Sequence, residues 1–143
     1  MASVPPDIVF KILTRIHIFL YRKSSGKIWN KMLGMPVLLL TTTGRKSGQP
    51  RTTPVVYERD GDDYLIVASK GGSDSHPAWY FNLEDTPEVR VEVGGQTFTA
   101  RVTITAGEER DQIYERFKSS GAHFATYEQV AQRTIPVVRL TPI

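Results

Sequence analysis

A chain of 143 residues, 40% of them hydrophobic, is long enough to bury a core and reads as one globular unit. The absence of cysteine excludes disulfides, thiolate metal sites and a cysteine nucleophile, and agrees with a reducing, cytoplasmic setting. The net charge of +3 is unevenly spread: residues 1–51 hold nine Lys/Arg against one acid, Asp7, while residues 52–143 hold nine against fourteen acids, so the basic third points to an anionic partner.

The chain divides into a helix with a basic connection over 1–34 and a β-rich unit over 35–143. Pro5-Pro6-Asp7 signals a helix start, and apolar residues then recur at helical spacing to about Tyr21. Ile8, Val9, Ile12, Leu13, Ile16, Phe19 and Leu20 share one face, with Lys11, Arg15 and Arg22 on the other side. The segment is too short and too charged to span a bilayer, and it lacks a signal-peptide cleavage site. Two readings stand: a helix packed on the domain or on the second copy of a homodimer, or an interfacial helix whose basic flank meets acidic lipid at the inner face of the cell membrane. Lys23 to Lys31 reads as a connection or a short second helix.

Strands follow. "PVLLLTTT" (36–43) and "TTPVVYE" (52–58) are buried-strand runs, and "RDGDD" (59–63) is a hairpin turn into "YLIVASK" (64–70). "HPAWYFNL" (76–83) suits one or two helical turns. "PEVRVEV" (87–93) alternates, Gly94-Gly95 turns it, and "QTFTARVTIT" (96–105) returns with Phe98, Ala100, Val102 and Ile104 facing in. "GEERDQIYERFKSS" (107–120) is an amphipathic helix that gathers Ile113, Tyr114 and Phe117. A short helical piece over 122–132 and a last strand over 134–143 complete the chain. Six strands, mostly hairpin-linked, with no helix between the first three, predict an α+β fold on an antiparallel sheet closed or nearly closed into a barrel.

Two stretches carry the chemistry. In "TTTGRKSGQPRTTP" (41–54), Arg45, Lys46 and Arg51 sit among glycines and hydroxyls with no acid nearby. Backbone N–H groups flanked by guanidinium and ammonium groups make an anion site, and three cations suit a multiply charged anion. The P-loop pattern is absent, and the loop leads into a strand. In "ASKGG" (68–72), small residues ending a buried strand let a flat ring approach the backbone. Trp79, Tyr80 and Phe81 then supply aromatic surface, and Asn82 an amide. The three histidines, 17, 76 and 123, are too scattered for a metal site, and no Ser-His-Asp set or carboxylate pair stands out. An anion loop beside a flat-ring pocket without acid–base groups points to chemistry supplied by a bound cofactor. No nucleic-acid motif accompanies the basic third, and its cations are not interleaved with aromatics.

"TTTGRKSGQPRTTPVVYERDGDDYLIVASKGG", "HPAWYFNLEDTPEVRVEVGG" and "IPVVRLTP" together resemble the deazaflavin-dependent nitroreductase family over about residues 35–143. The resemblance implies a split β-barrel, an F420-dependent oxidoreductase, and coenzyme F420, whose tail carries a phosphodiester and a polyglutamate. It implies that Arg45, Lys46, Ser47 and Arg51 hold the phosphate and the first glutamates, and that Thr52, Thr53, Pro54, Val55, Val56 and Tyr57 run beside the cofactor. Val67, Ala68, Ser69 and Lys70 are implied to face the ring, and Ala78, Trp79, Tyr80, Phe81 and Asn82 to close round it. Ser69 and Tyr127 are the implied catalytic hydrogen-bond donors, and the small-molecule acceptor is a quinone, an activated enone or a nitroaromatic. Phe124 and Gly121 stand where the family carries other substrate-side residues. Two other functions fit the same residues: an FMN-binding split-barrel oxidoreductase, and a non-catalytic binder of a planar ligand.

Overall fold

β-Branched residues and leucines with period-two alternation fold here into one antiparallel sheet, seen in a computed structural model that describes residues 6–121 and 123–143. The elements are α1 (Pro6–Lys23), β1 (Lys31–Met32), β2 (Met35–Thr43), β3 (Pro50–Val56), β4 (Glu58–Asp60), β5 (Asp63–Val67), α2 (Ala78–Asp85), β6 (Glu88–Val93), β7 (Gln96–Ile104), α3 (Gly107–Ser120), α4 (His123–Val130) and β8 (Val137–Pro142). The start signal at Pro5 and the first residue of the expected 122–132 piece lie outside the described residues.

The sheet runs β1-β2-β6-β7-β8-β5-β4, and β3 pairs with β2. β3 and β4 are consecutive in the chain and only Tyr57 separates them, yet they lie at opposite ends of that path. The sheet must therefore curl until its ends approach each other. Leu38, Leu40, Ile66, Val91, Ala100, Val138 and Leu140 fill the inside of the curl and are fully buried. A second cluster packs α3 and α4 on the outside, through Ile113, Tyr114, Phe117 and Phe124 against Leu65 and Val137.

The described residues form eight strands, not six. The expected 52–58 strand divides at Tyr57: its N–H makes the last in-register bond to β2, to the Pro36 carbonyl, and the residues beyond it pair with β5 instead, as β4. The two-residue β1 is too short to leave an alternation signal. Residues 24–30 form a turn and connection rather than a second helix. Ile104, expected inside, is 39% exposed, while the Thr105 hydroxyl beside it is buried and donates to the Val137 carbonyl at 2.8 Å.

The apolar face of α1 is not the face the domain covers. His17 and Tyr21 are its buried residues, whereas Ile8, Ile12, Leu13 and Phe19 are 44% to 63% exposed. Polar anchors hold the helix end: the Tyr21 hydroxyl donates to the Val37 carbonyl at 2.9 Å, and Arg22 grips Glu92 through two bonds of 2.8 and 2.7 Å. His17 stacks on Trp29 at 4.3 Å and bonds its carbonyl.

Candidate functional site

The turn after β2 sets the basic end of a cleft. Gly44 donates to the Gln49 carbonyl and accepts from Gly48, both at 2.8 Å. A Cβ on Gly44 would come within 2.5 Å of Ser47 Oγ and 3.0 Å of the Gln49 carbonyl, so glycine lets the two sides of this turn approach closely. Asn82 braces it from α2: its Oδ1 accepts from the Arg45 N–H at 2.9 Å, and its Nδ2 donates to Thr42 Oγ1 at 3.0 Å. Arg45 lies over the Phe81 ring at 5.1 Å. Arg51 reaches Ser47 Oγ at 3.4 Å. Among the described residues, Arg45, Lys46 and Arg51 make no ion pair.

The floor is the segment leaving β5. Ala68 is fully buried, and Lys70 (φ 47) and Gly71 (φ 64) turn the chain through a single 3-10 turn. Arg133 clamps this segment. Its guanidinium donates to the carbonyls of Ala68 (3.1 Å), Ser69 (2.9 Å) and Ser73 (2.9 Å), and to His76 Nδ1 at 2.8 Å. A guanidinium only donates, so His76 Nδ1 accepts and the ring proton sits on Nε2. Burial, then the Arg133 charge, hold the His76 pKa below its ordinary value, against a smaller opposing pull from Glu84. Burial likewise lowers the pKa of Arg133 from its usual value.

The wall opposite β3 comes from α4. Gly72 lets it approach: a Cβ there would lie 2.9 Å from Val130 Cγ2 and 3.1 Å from the Tyr127 ring. The Tyr114 hydroxyl ties α4 to α3 by donating to the Phe124 carbonyl at 2.7 Å, and burial pushes its pKa up to about 12, so it stays a donor. Phe124 and Tyr127 meet edge to face at 5.7 Å.

These parts enclose a cleft of about 880 Å³. Of the residues singled out in the sequence, Arg45, Lys46, Ser47, Arg51, Thr52, Thr53, Pro54, Val55, Val56, Val67, Ser69, Lys70, Ala78, Trp79, Phe81, Asn82 and Tyr127 line it. Tyr57, Ala68 and Tyr80 do not. Tyr57 packs edge-on to Tyr64 at 5.3 Å, Ala68 lies beneath the floor, and Tyr80 turns into the core beside His76. Phe10, Met32, Leu33 and His76 line the cleft without having been read as site residues. Phe10 lies within the stretch read as a helix but outside the apolar face picked out there, and nothing local says that this helix reaches a pocket.

The lining contains no Asp or Glu, while Arg45, Lys46, Arg51 and Lys70 supply four cations. The apolar lining is built from Pro54, Val55, Val56, Ala78, Trp79 and Phe81. Such a cleft accepts a flat ring at one end and a polyanion at the other, which is the shape and charge of a deazaflavin with a phosphate-glutamate tail. Among the described residues, no group of His, Cys, Asp and Glu is placed to hold a metal, and no helix is long and apolar enough to cross a membrane.

A profile of the F420H(2)-dependent quinone reductase family matches residues 13–142. An F420H(2)-dependent quinone reductase of Mycobacterium tuberculosis is 43% identical over 135 residues, covering 90% of this chain and 89% of that one. The solved structure of an F420-H2 dependent reductase is 36% identical, with a TM-score of 0.67 over 73% of this chain and 93% of its own. A second solved chain, described as a domain-swapped dimer, is 32% identical with a TM-score of 0.70, covering 96% and 99%.

Proposed function

The chain belongs to the F420H(2)-dependent quinone reductase family, and from that membership we propose that it passes a hydride from reduced coenzyme F420 to a quinone held in the cleft of β3, β5, α2 and α4. The observation that carries the reading is charge composition: four cations, three of them on the turn after β2 and its return strand, and no acid line a pocket whose remaining lining is largely apolar. Arg45, Lys46, Ser47 and Arg51 hold the phosphate and the first carboxylates of the tail. Thr52 to Val56, Val67, Lys70, Ala78, Trp79, Phe81 and Asn82 seat the ring. An FMN site is disfavoured because one phosphate leaves several of these cations without a counter-charge.

When bound, the reduced deazaflavin supplies the two electrons and hydrogen that the quinone takes up. The protein's share is positioning and hydrogen bonding. Trp79, Phe81 and Phe124 exclude water from the ring end, which strengthens any hydrogen bond made there. The Ser69 and Tyr127 hydroxyls line that end without an intramolecular partner among the described residues. Each is placed to donate to an acceptor oxygen that gains negative charge, a contact worth about 1–3 kcal/mol in a dry site. His76 Nε2–H is a third donor with a fixed proton. The apolar end also admits activated enones and nitroaromatics.

The finer architecture we infer is a split β-barrel over 35–143 preceded by the helical unit 1–34. The exposed apolar face of α1, flanked by Lys11 and Arg15, suits contact with an acidic membrane at the cytoplasmic face, where a lipid-soluble quinone resides. A homodimer covering the same face is the competing arrangement, in keeping with the dimeric relative. Removal of residues 1–20 is expected to abolish co-sedimentation with phosphatidylglycerol vesicles; unchanged sedimentation removes the membrane contact.

The direct test is oxidation of reduced F420, followed by its absorbance, with menadione as acceptor. Quinone-dependent oxidation that falls about tenfold in Ser69→Ala, with cofactor affinity retained, is expected. Wild-type rates in that variant with several acceptors remove Ser69 from the mechanism, and no oxidation with any quinone overturns the reading.

A further inference from the structure

A second basic groove, of about 670 Å³, lies between α1 and β3. Arg15, Arg22 and Lys23 line it from the helix, and Arg51 and Thr52 from the strand. Its lining contains no acid. Glu92 engages Arg22 from outside, while Arg15 and Lys23 make no ion pair among the described residues. Arg51 and Thr52 also line the main cleft, so the two hollows share a wall. Arg22 also reaches Thr52 Oγ1 at 3.4 Å, which joins helix to strand at that wall.

We propose that this groove is a second anion subsite that holds the outer carboxylates of the cofactor's oligoglutamate tail; the inference rests on the F420 reading above. The path of positive charge runs from Arg45 and Lys46, past Arg51, and out along α1. Arg15 and Lys23 are eight residues apart, about 12 Å along the helix axis. An extended chain covers that span with about four residues. A single phosphate therefore engages one end of the groove, whereas a chain of carboxylates engages all of it. Each exposed contact is weak and salt-sensitive, so the groove acts on tail length rather than on the ring.

The test is a fluorescence titration of F420 carrying two or six glutamates, with wild type and with the Arg15→Gln/Lys23→Gln double variant, at low and high salt. Wild type is expected to bind the six-glutamate form about three- to tenfold more tightly. The double variant loses that advantage while its affinity for the two-glutamate form stays within about twofold, and salt removes the advantage from wild type. Equal affinity of wild type for both tails overturns the proposal, as does a double variant weakened equally toward both. A double variant that keeps the tail-length preference but no longer binds phosphatidylglycerol vesicles assigns the groove to lipid headgroups and also overturns it. Absence of binding at every tail length denies the F420 reading itself, which separates the two failures.

Discussion

Arg133 directs four hydrogen bonds at one loop: the carbonyls of Ala68, Ser69 and Ser73, and His76 Nδ1. That loop is the floor of the cleft. Arg133→Met leaves those carbonyls without their donor and is expected to lower stability by roughly 1–3 kcal/mol in chemical denaturation. Arg133→Lys is expected to recover only part, because an ammonium cannot reproduce the planar fork. His76 faces Arg133 from the 131–136 connection, and Tyr80 and Glu84 on α2. Its folded pKa is depressed, so its neutral form contributes stability that is complete above about pH 6.5 and is lost as pH falls through the folded value. His76→Asn keeps an acceptor toward Arg133 but does not titrate. The acid limb of its stability–pH curve is expected to be shallower than wild type; an unchanged limb removes His76 from the acid response. Arg133 carried no signal in the sequence because its partners are backbone carbonyls more than fifty residues away. The cations of the 45–51 loop were legible because they crowd one turn among glycines with no acid near.

At the scale of elements, α4 meets the floor only because Gly72 has no side chain. Gly72→Ala forces a Cβ against Val130 and Tyr127 at a φ of +82°, and is expected to cost roughly 1–3 kcal/mol and to lower turnover by displacing Tyr127. Gly71→Ala is the control: its φ is also positive, but nothing lies within 4 Å of the added Cβ. Equal losses of melting temperature and turnover in the two variants would show that backbone conformation, not the approach of α4, sets the cost. The strand over 36–43 was readable as an unbroken apolar run, since both of its faces are buried, and the strands over 87–93 and 96–105 and the helix over 107–120 from alternation or helical spacing. The break at Tyr57 was not readable, because the residues on either side are equally suited to a strand and the interruption comes from a change of partner, β2 before Tyr57 and β5 after it. The face of α1 was read correctly as an apolar stripe, but periodicity reports that a face is apolar, not what covers it.

For the whole molecule, charge and curl act together. The sheet brings the basic turn after β2 beside the end of β5, so cations near position 45 and small residues near position 68 share one cleft although they are distant in sequence. The uneven charge was visible in the composition, and its excess lies where the cleft and the α1 groove meet. What composition does not contain is the curl of the sheet, which brings β3 and β4 together through one residue. The central claim is that this concentrated charge captures a polyanionic deazaflavin. It is tested most directly by titrating F420 into wild type and into the triple variant Arg45→Gln/Lys46→Gln/Arg51→Gln at low salt, with circular dichroism to verify folding. Affinity is expected to fall by about a hundredfold or more in the folded triple variant, and the wild-type affinity to weaken as salt is raised. A folded triple variant that binds F420 as tightly as wild type at low salt contradicts that claim.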